Sequence, residues 1–233
     1  MADDVPSYRD AFSKSRAFKA AVALAKLGGV ASFSQIQRLS GIKGSTLTHN
    51  LNILIRFNVV EKEVKGTYRL KYMTPLCYLF SEKHLPIAYL DLLGRRNSRD
   101  KPETETALEL LMAEGYQPDS VHVLTSTEAL HEWKTLKLPY QWILCYEDEI
   151  VDIDSVRRKA EQRLKILLKD HIVIIDCTSA TKPATIAYYE LAQIYQTPLI
   201  YIYEGKKELK WLREKQTIKT TILPEKRGNE ILS

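Results

Sequence analysis

The chain has 233 residues, of which 45% are hydrophobic and 27% charged, and this composition is typical of a globular protein. No apolar run approaches the roughly 20 residues needed to cross a bilayer, so we expect no membrane association. The N-terminus lacks the basic region and apolar core of a signal peptide. Three cysteines, Cys77, Cys145 and Cys177, show no metal-ligand spacing. Their odd number indicates a reducing, cytoplasmic compartment.

Positive charge is concentrated in the first third of the chain. Residues 1–85 contain 13 Lys or Arg and 6 Asp or Glu, whereas the rest of the chain contains 21 Lys or Arg and 23 Asp or Glu. A basic first third predicts contact with a polyanion. On charge alone, a solvated basic surface is an equal alternative.

The first 72 residues predict three helices followed by a β-hairpin. The helices are expected at Ser7–Leu27, at Phe33–Leu39 with Ser32 as its cap, and at about Thr46–Asn58. Two alternating runs, Val59–Val64 and Thr67–Tyr72, are joined by a two-residue turn at Lys65 and Gly66. This order is typical of a winged helix-turn-helix domain.

The third helix has one apolar face and one polar face without acidic residues. The apolar face carries Leu47, Leu51, Leu54 and Ile55. Its composition favours double-stranded DNA over the alternatives of dimerisation or peptide binding. The predicted DNA-binding residues on this helix and the hairpin are Lys43, Ser45, Thr46, Thr48, His49, Asn52, Arg56, Lys65 and Arg69.

From Ile87 onwards the chain alternates between strands and helices, which is typical of an α/β domain with a parallel sheet. The predicted strands are Ile87–Leu93, Ser120–Leu124, Gln141–Tyr146, Ile172–Ile175 and Leu199–Tyr203. A final helix is expected at about Lys207–Lys215 and a short strand at Ile218–Leu223. The predicted organisation is a winged helix at 1–75, a linker or dimerisation helix at 76–85, and a Rossmann-like domain at 86–233.

Two segments of this second domain share one pattern: an apolar strand, a polar loop, Lys-Pro, and a helix. The loops are Gly94–Lys101 and Asp176–Lys182. If their strands are neighbours, the loops line one crevice at the carboxyl edge of the sheet. The crevice would be electropositive and would suit an anion with several phosphates, although ordinary solvated loops are an equal alternative. The residues concerned are Arg95, Arg96, Arg99, Lys101 and Lys182, with hydroxyls from Thr178, Ser179 and Thr181.

The second loop resembles the motif of CARF (CRISPR-associated Rossmann fold) domains, in which Asp/Asn-x-Thr-Gly-Gly-Thr-Lys-Pro follows a core strand. The resemblance covers roughly residues 86–205. Ser179 and Ala180 stand where the family has two glycines, and a Cβ there limits how closely backbone approaches a phosphate. The best-known CARF regulators carry the winged helix last, whereas here it comes first.

The resemblance implies a two-fold homodimer that binds a cyclic oligoadenylate, with cyclic tetra-adenylate as the first choice. The implied function is a CRISPR-associated transcription regulator in which ligand modulates DNA binding by the winged helix. The candidate ligand-binding residues are Gly94, Arg95, Arg96, Asn97, Ser98, Thr125, Thr178, Ser179, Ala180, Thr181 and Lys182.

Two enzymatic alternatives accompany this interpretation. A ring nuclease would cleave the bound ring, with Lys182 stabilising charge and Ser98 positioning the ring. A metal-dependent nuclease would use Asp176 with the Glu-x-Lys spacing of Glu204 and Lys206, but a whole helix separates them. The five histidines show no ligand spacing, so no metal and no cofactor are expected. Tyr188 and Tyr189 are predicted to be core or interface residues rather than a base-stacking platform.

Overall fold

The computed structural model describes residues 5–97, 99–134 and 136–224. The chain forms two compact units. Among the described residues, the first unit comprises 5–85, 168–172 and 215–224, and the second lies within 86–167 and 173–214.

The first unit contains six helices and three strands within the described residues. The helices are α1 (Tyr8–Phe12), α2 (Ser15–Lys26), α3 (Phe33–Ser40), α4 (Gly44–Arg56), α5 (Leu76–Phe80) and α10 (Lys215–Ile222). The strands are β1 (Val30–Ser32), β2 (Val60–Lys62) and β3 (Thr67–Leu70). They form an antiparallel sheet in the order β1-β3-β2.

Short-range chemistry explains where these helices begin and end. Ser32 and Gln35 form a capping box at the start of α3, as the sequence predicts for Ser32. Gly41 adopts a left-handed φ of 67° and ends α3 two residues before α4 begins. The predicted single helix over 7–27 is wrong, because Lys14 has an extended backbone (φ −96°, ψ 117°) that separates α1 from α2.

The hairpin also differs from the prediction. A single-turn 3₁₀ helix, Val64–Gly66, joins β2 to β3 in place of the predicted two-residue turn. Strand β1 was not predicted, because three residues are too few to show an alternating pattern. It pairs with β3 in a register that places Ala31 opposite Tyr68.

The second unit contains a six-stranded, mostly parallel sheet, which confirms the predicted α/β class. Its elements are β4 (Ile87–Leu93), α6 (Glu103–Ala113), β5 (Ser120–Ser126), α7 (Thr127–Trp133), β6 (Gln141–Cys145), α8 (Ile153–Leu168), β7 (Ile172–Asp176), α9 (Lys182–Tyr195), β8 (Leu199–Tyr203) and β9 (Glu208–Arg213). The strand order is β6-β5-β4-β7-β8-β9. The first five positions follow the doubly wound order of Rossmann-like folds, in which the topology reverses between β4 and β7.

The C-terminal assignments require a correction. The predicted helix at 207–215 is the strand β9, antiparallel to β8, and the predicted strand at 218–223 is the helix α10. Along β9, alternate residues are exposed, and Leu209 and Trp211 pack against the core formed by Tyr89, Ile174 and Ile200. In α10, Ile218 and Ile222 are four residues apart and buried together.

The first unit therefore extends beyond the predicted boundary at residue 86. Helix α10 packs against α1 and α5, and the side chains of Leu76, Cys77 and Tyr78 in α5 are buried there. The apolar face of the predicted linker or dimerisation helix is thus occupied inside this unit. The second unit ends at Glu214 instead of continuing to the C-terminus. The predicted frayed tail, residues 225–233, lies outside the described residues.

No helix in the described parts of the chain combines the length and apolarity needed to cross a membrane. The described residues also contain no cluster of three or more His, Cys, Asp or Glu side chains able to hold a metal ion.

Helix α10 should contribute to the stability of the first unit. Ile218 is fully buried, so Ile218→Ala removes apolar contacts and should lower the free energy of unfolding by about 2–4 kcal/mol. Denaturant unfolding of the full chain measures this change. The control is Gln216→Ala, at an exposed position of the same helix. Equal stabilities for the two variants would contradict the placement of α10.

Candidate ligand-binding site

The loops that follow β4 and β7 meet at the point where the strand order reverses. These strands are neighbours, so their carboxyl ends lie side by side. The backbones touch: a Cβ placed on Gly94 would lie 3.2 Å from the backbone nitrogen of Ala180 and 3.3 Å from its Cα. Gly94 is therefore the residue that allows the two loops to approach each other.

Ala180 occupies a backbone conformation that favours glycine. Its φ is +69°, in the left-handed region. Ala180 stands at the second glycine of the motif that the loop resembles, so the loop keeps the shape that glycine would give it. Holding a non-glycine residue there costs roughly 1–2 kcal/mol, which the surrounding contacts have to offset.

A cavity of about 630 Å³ opens above these strand ends. Its volume falls within the range of roughly 300–1,000 Å³ common for small-molecule sites. The residues that line it come from the loops or ends of β4, β5, β6, β7 and β8 and from the first turns of α6 and α7. They are Leu93, Gly94, Arg95, Asn97, Arg99, Glu103, Ser126, Ala129, Glu147, Ile150, Thr178, Ser179, Ala180, Thr181, Tyr201, Ile202, Tyr203 and Gly205.

Charge in the cavity is arranged as two arginine–glutamate pairs. The Arg95 guanidinium lies 2.5 Å from Glu147, whose second oxygen accepts a hydrogen bond from Ser126 at 3.1 Å. The hydrogen bond from Arg95 lowers the pKa of Glu147. Arg99 lies 2.5 Å from Glu103, and the Ser179 hydroxyl donates to the same carboxylate. The predicted bare positive crevice is thus partly neutralised by its own carboxylates.

A buried carboxyl group, Asp176, supports the second loop from below. One oxygen accepts hydrogen bonds from the backbone N–H (2.7 Å) and the hydroxyl of Thr178, and the other accepts from Tyr89. Burial raises the pKa of Asp176 to about 6, although the hydrogen bonds from Thr178 and Tyr89 oppose the shift. On the neighbouring strand, burial and the charge of Asp176 raise the pKa of Asp91 well above its usual range.

Seven of the predicted ligand residues line the cavity. They are Gly94, Arg95, Asn97, Thr178, Ser179, Ala180 and Thr181. The threonine hydroxyls, however, already serve the fold. Thr178 Oγ1 also accepts from the N–H of Ile202 at 2.7 Å. Thr181 Oγ1 donates to the carbonyl of Ile150 at 2.6 Å and caps α9.

Three other predicted residues, Arg96, Thr125 and Lys182, are not among the described lining residues. Arg96 donates from Nε to the carbonyl of Arg99 at 2.8 Å, and its guanidinium lies 5.5 Å from the centroid of the Trp133 ring. Thr125 is buried and donates to the carbonyl of Leu93 at 2.8 Å. Lys182 is exposed on the first residue of α9. Ser98 lies outside the described residues.

Several lining residues were not predicted, because they come from strands whose position in the sheet a single sequence does not reveal. Glu147 lies just after β6, and Ser126 is the last residue of β5. Tyr201 and Tyr203 lie at the carboxyl end of β8. The usable signal is the rule that ligands bind at the carboxyl edge of the whole sheet. It applies to every parallel strand and not only to the two with matching loops.

In the first unit, the polar face of α4 is exposed. Ser45, Thr48, His49, Asn52 and Arg56 lie on the surface, as does Lys43 just before the helix, and Thr46 is half-buried. Leu47, Leu51 and Leu54 are buried as predicted, together with Asn50. The guanidinium of Arg69 pairs with Glu63 at 2.6 Å and with Asp170 at 3.3 Å. The side chain of Lys65 lies outside the described side chains.

Basic residues missed by the sequence analysis extend this face. A depression beside α4 is lined by Lys14 and Arg16 together with Thr46 and His49. A second depression brings Arg16 and Lys19 next to Lys43. The signal was the run of basic residues at the start of α2, at positions 14, 16 and 19.

Neither a protein-family model nor a curated protein matches the chain. Solved structures similar to it include Can2 from Sulfobacillus thermosulfidooxidans in complex with cyclic tetra-adenylate, at 12% identity and a TM-score of 0.41 over 55% of this chain and 35% of that one. Csm6 from Enterococcus italicus, bound to cyclic hexa-2'-fluoro-hexa-dAMP, matches at 12% identity and a TM-score of 0.40, over 64% of this chain and 40% of that one. Protein VC1899 from Vibrio cholerae matches at 11% identity and a TM-score of 0.41, over 55% of this chain and 34% of that one. The chain thus spans between 34% and 40% of these proteins, and at this similarity its function has to be argued from its own residues.

The buried Asp176 should make stability depend on pH. A carboxyl group whose pKa is about 6 when folded and near 3.8 when unfolded stabilises the fold below the lower value and loses this contribution as pH rises through 6. Asp176→Asn removes the titration while keeping an amide oxygen for Thr178. We therefore expect the melting temperature of Asp176→Asn to rise relative to that of the wild type as the pH increases from 4 to 7.

The control for this experiment is Asp148→Asn, at an exposed position. Its melting temperature should track that of the wild type across the same pH range. A difference between Asp176→Asn and wild type that stays constant with pH would contradict the raised pKa.

Proposed function

We propose that the chain is a CARF-type, CRISPR-associated transcription regulator. In this proposal its second unit forms a two-fold homodimer that binds a cyclic oligoadenylate, with cyclic tetra-adenylate as the first choice, and ligand binding modulates DNA binding by the first unit, a winged helix-turn-helix domain. The observation that carries the sensor half is that the two matching loops line one cavity with Arg95 and Arg99.

The second loop offers backbone donors to a phosphate. Among the described residues, the N–H groups of Ser179 and Ala180 have no hydrogen-bond partner, whereas the N–H of Thr178 is bonded to Asp176. Unpaired N–H groups beside a left-handed residue are a recurrent anion-binding arrangement. Because both threonine hydroxyls are engaged, we assign phosphate contacts to these N–H groups and to the arginines.

A ligand phosphate would compete with Glu147 for Arg95. Arg95→Ala should weaken binding of cyclic tetra-adenylate about 10- to 100-fold, since a hydrogen bond to a charged group contributes about 1.5–3 kcal/mol. Glu147→Gln should act in the opposite direction and strengthen binding, because it removes the competing charge. Isothermal titration calorimetry with cyclic tri-, tetra- and hexa-adenylate measures both effects.

Arg158→Ala is the matched control, since Arg158 is exposed on α8 and hydrogen-bonds to Ser155 at 3.2 Å in its own helix. It should bind like the wild type. If none of the three rings binds the wild-type protein, the sensor half of the proposal is wrong. If Arg95→Ala binds like Arg158→Ala, the assignment of Arg95 fails.

The DNA-binding half of the proposal is supported by α3, α4 and the sheet β1-β3-β2, an arrangement typical of winged helices. The exposed face of α4 carries no Asp or Glu, and Lys14, Arg16 and Lys19 widen it. Such a surface suits base edges at its centre and phosphates at its margin. Arg69 is paired with two carboxylates, so a DNA phosphate would compete with them for its guanidinium.

Arg56→Glu should weaken binding to a 30-bp duplex of random sequence about tenfold or more, because it replaces attraction to the polyanion by repulsion. Arg16→Ala should bind more weakly and lower the slope of log affinity against log salt by about 1. Fluorescence anisotropy at several salt concentrations gives both quantities. Arg158→Glu, the same charge reversal in the second unit, is the control. Unchanged affinity for Arg56→Glu would overturn the assignment of α4.

No observation favours either nuclease alternative. Lys182, the candidate charge stabiliser of a ring nuclease, is not among the described lining residues of the cavity. Both oxygens of Asp176 accept hydrogen bonds from Tyr89 or Thr178. Metal coordination by Asp176 would therefore disrupt the support of the loop.

A further inference from the structure

The carboxyl end of β8 presents two tyrosines to the cavity. Tyr201 and Tyr203 are two residues apart and therefore lie on the same face of the strand. Both line the cavity, and they remain 37% and 48% exposed. The alternate residues, Ile200 and Ile202, belong to the hydrophobic core, and Ile202 also borders the cavity.

These rings have an open face. No described aromatic ring pairs with either tyrosine, and no hydrogen bond joins either phenol to a described residue. Gly205 follows Tyr203 in the next turn, and a Cβ there would lie 3.8 Å from the phenol oxygen and Cζ of Tyr203. The absence of a side chain at 205 leaves that space beside the ring free.

The two tyrosines are held in register with the ligand loop. The N–H of Cys177 donates to the carbonyl of Ile200 at 3.2 Å, and the N–H of Ile202 donates to the hydroxyl of Thr178 at 2.7 Å. These bonds fix the backbone on both sides of Tyr201 against the loop that carries Ser179 and Ala180. The backbone that carries the two rings therefore lies at a set position relative to the proposed phosphate contacts.

We propose that Tyr201 and Tyr203 form a stacking platform for the bases of the bound nucleotide, and that this platform favours purines. The inference rests on the proposed function and adds the residues that recognise the base. In this arrangement the arginines and loop N–H groups hold phosphates, while the tyrosine faces cover bases. A purine has more surface to stack than a pyrimidine, so adenine gains more from the platform than uracil does.

Calorimetric titration of the full chain with cyclic tetra-adenylate tests the platform. Tyr201→Leu and Tyr203→Leu should each weaken binding about tenfold, in line with the stacking contribution of single aromatic side chains. Tyr201→Phe and Tyr203→Phe keep the ring and should bind within about threefold of the wild type. Tyr146→Leu is the matched control: Tyr146 directly follows β6 and is 66% exposed, and it is not among the described lining residues.

Two further measurements separate stacking from a structural role. A ring that contains 2-aminopurine in place of one adenine should lose fluorescence on binding to the wild type and the Phe variants, and lose less on binding to the Leu variants. The preference for cyclic tetra-adenylate over cyclic tetra-uridylate should fall in the Leu variants. Melting temperatures near that of the wild type show that the variants are folded.

The outcomes distinguish this inference from the function on which it rests. If no cyclic oligoadenylate binds the wild type, the proposed function and the platform fail together. If the wild type binds and Arg95→Ala weakens binding, but Tyr201→Leu and Tyr203→Leu bind and quench like Tyr146→Leu, the platform is wrong while the sensor proposal stands. Loss of binding in both Leu and Phe variants would assign the effect to the phenol oxygens and would also overturn stacking.

Discussion

The candidate site depends on the backbone contact between Gly94 and Ala180. Two parallel strands place their loops side by side only because one loop has no Cβ at the contact and the other accepts a left-handed residue. Asp176 holds the second loop in this shape through three hydrogen bonds, from Tyr89 and twice from Thr178. Full burial of that carboxyl group is the cost, and it appears as the raised pKa of Asp176.

The arginine–glutamate pairs above this contact have a consequence for specificity. An anion that enters the cavity has to replace Glu147 and Glu103 as partners of Arg95 and Arg99. A single small anion gains little from such an exchange, whereas a ligand with several linked phosphates makes both exchanges at once. Carboxylates that compete with weak ligands are a form of discrimination built on repulsion. Under the proposed function, this exchange would let the cavity select a polyanion without a large net positive charge.

The sequence predicted most of the second unit, because buried strands and capped helices leave local patterns. The strands β4 and β8 have the predicted bounds, and the two matching loops lie together as expected for neighbouring strands. The features that the sequence does not reveal have a common physical origin. Whether the hydroxyl of Thr125 or the guanidinium of Arg96 reaches a ligand depends on partners distant in sequence, Leu93 and Trp133. The order of strands likewise determines that Tyr201, Tyr203 and Glu147 share a cavity, and the register with β8 determines that residues 208–213 form a strand.

Strand β7 provides a covalent connection for the proposed regulation. Residues 168–172, which lead into this strand, belong to the first unit. There the carbonyl of Leu168 accepts a hydrogen bond from the N–H of Met73 at 2.7 Å, and Asp170 pairs with Arg69 of β3. At its other end, β7 finishes at Asp176, beneath the ligand loop. Coupling between ligand and DNA requires a ligand to bind two states of the protein unequally.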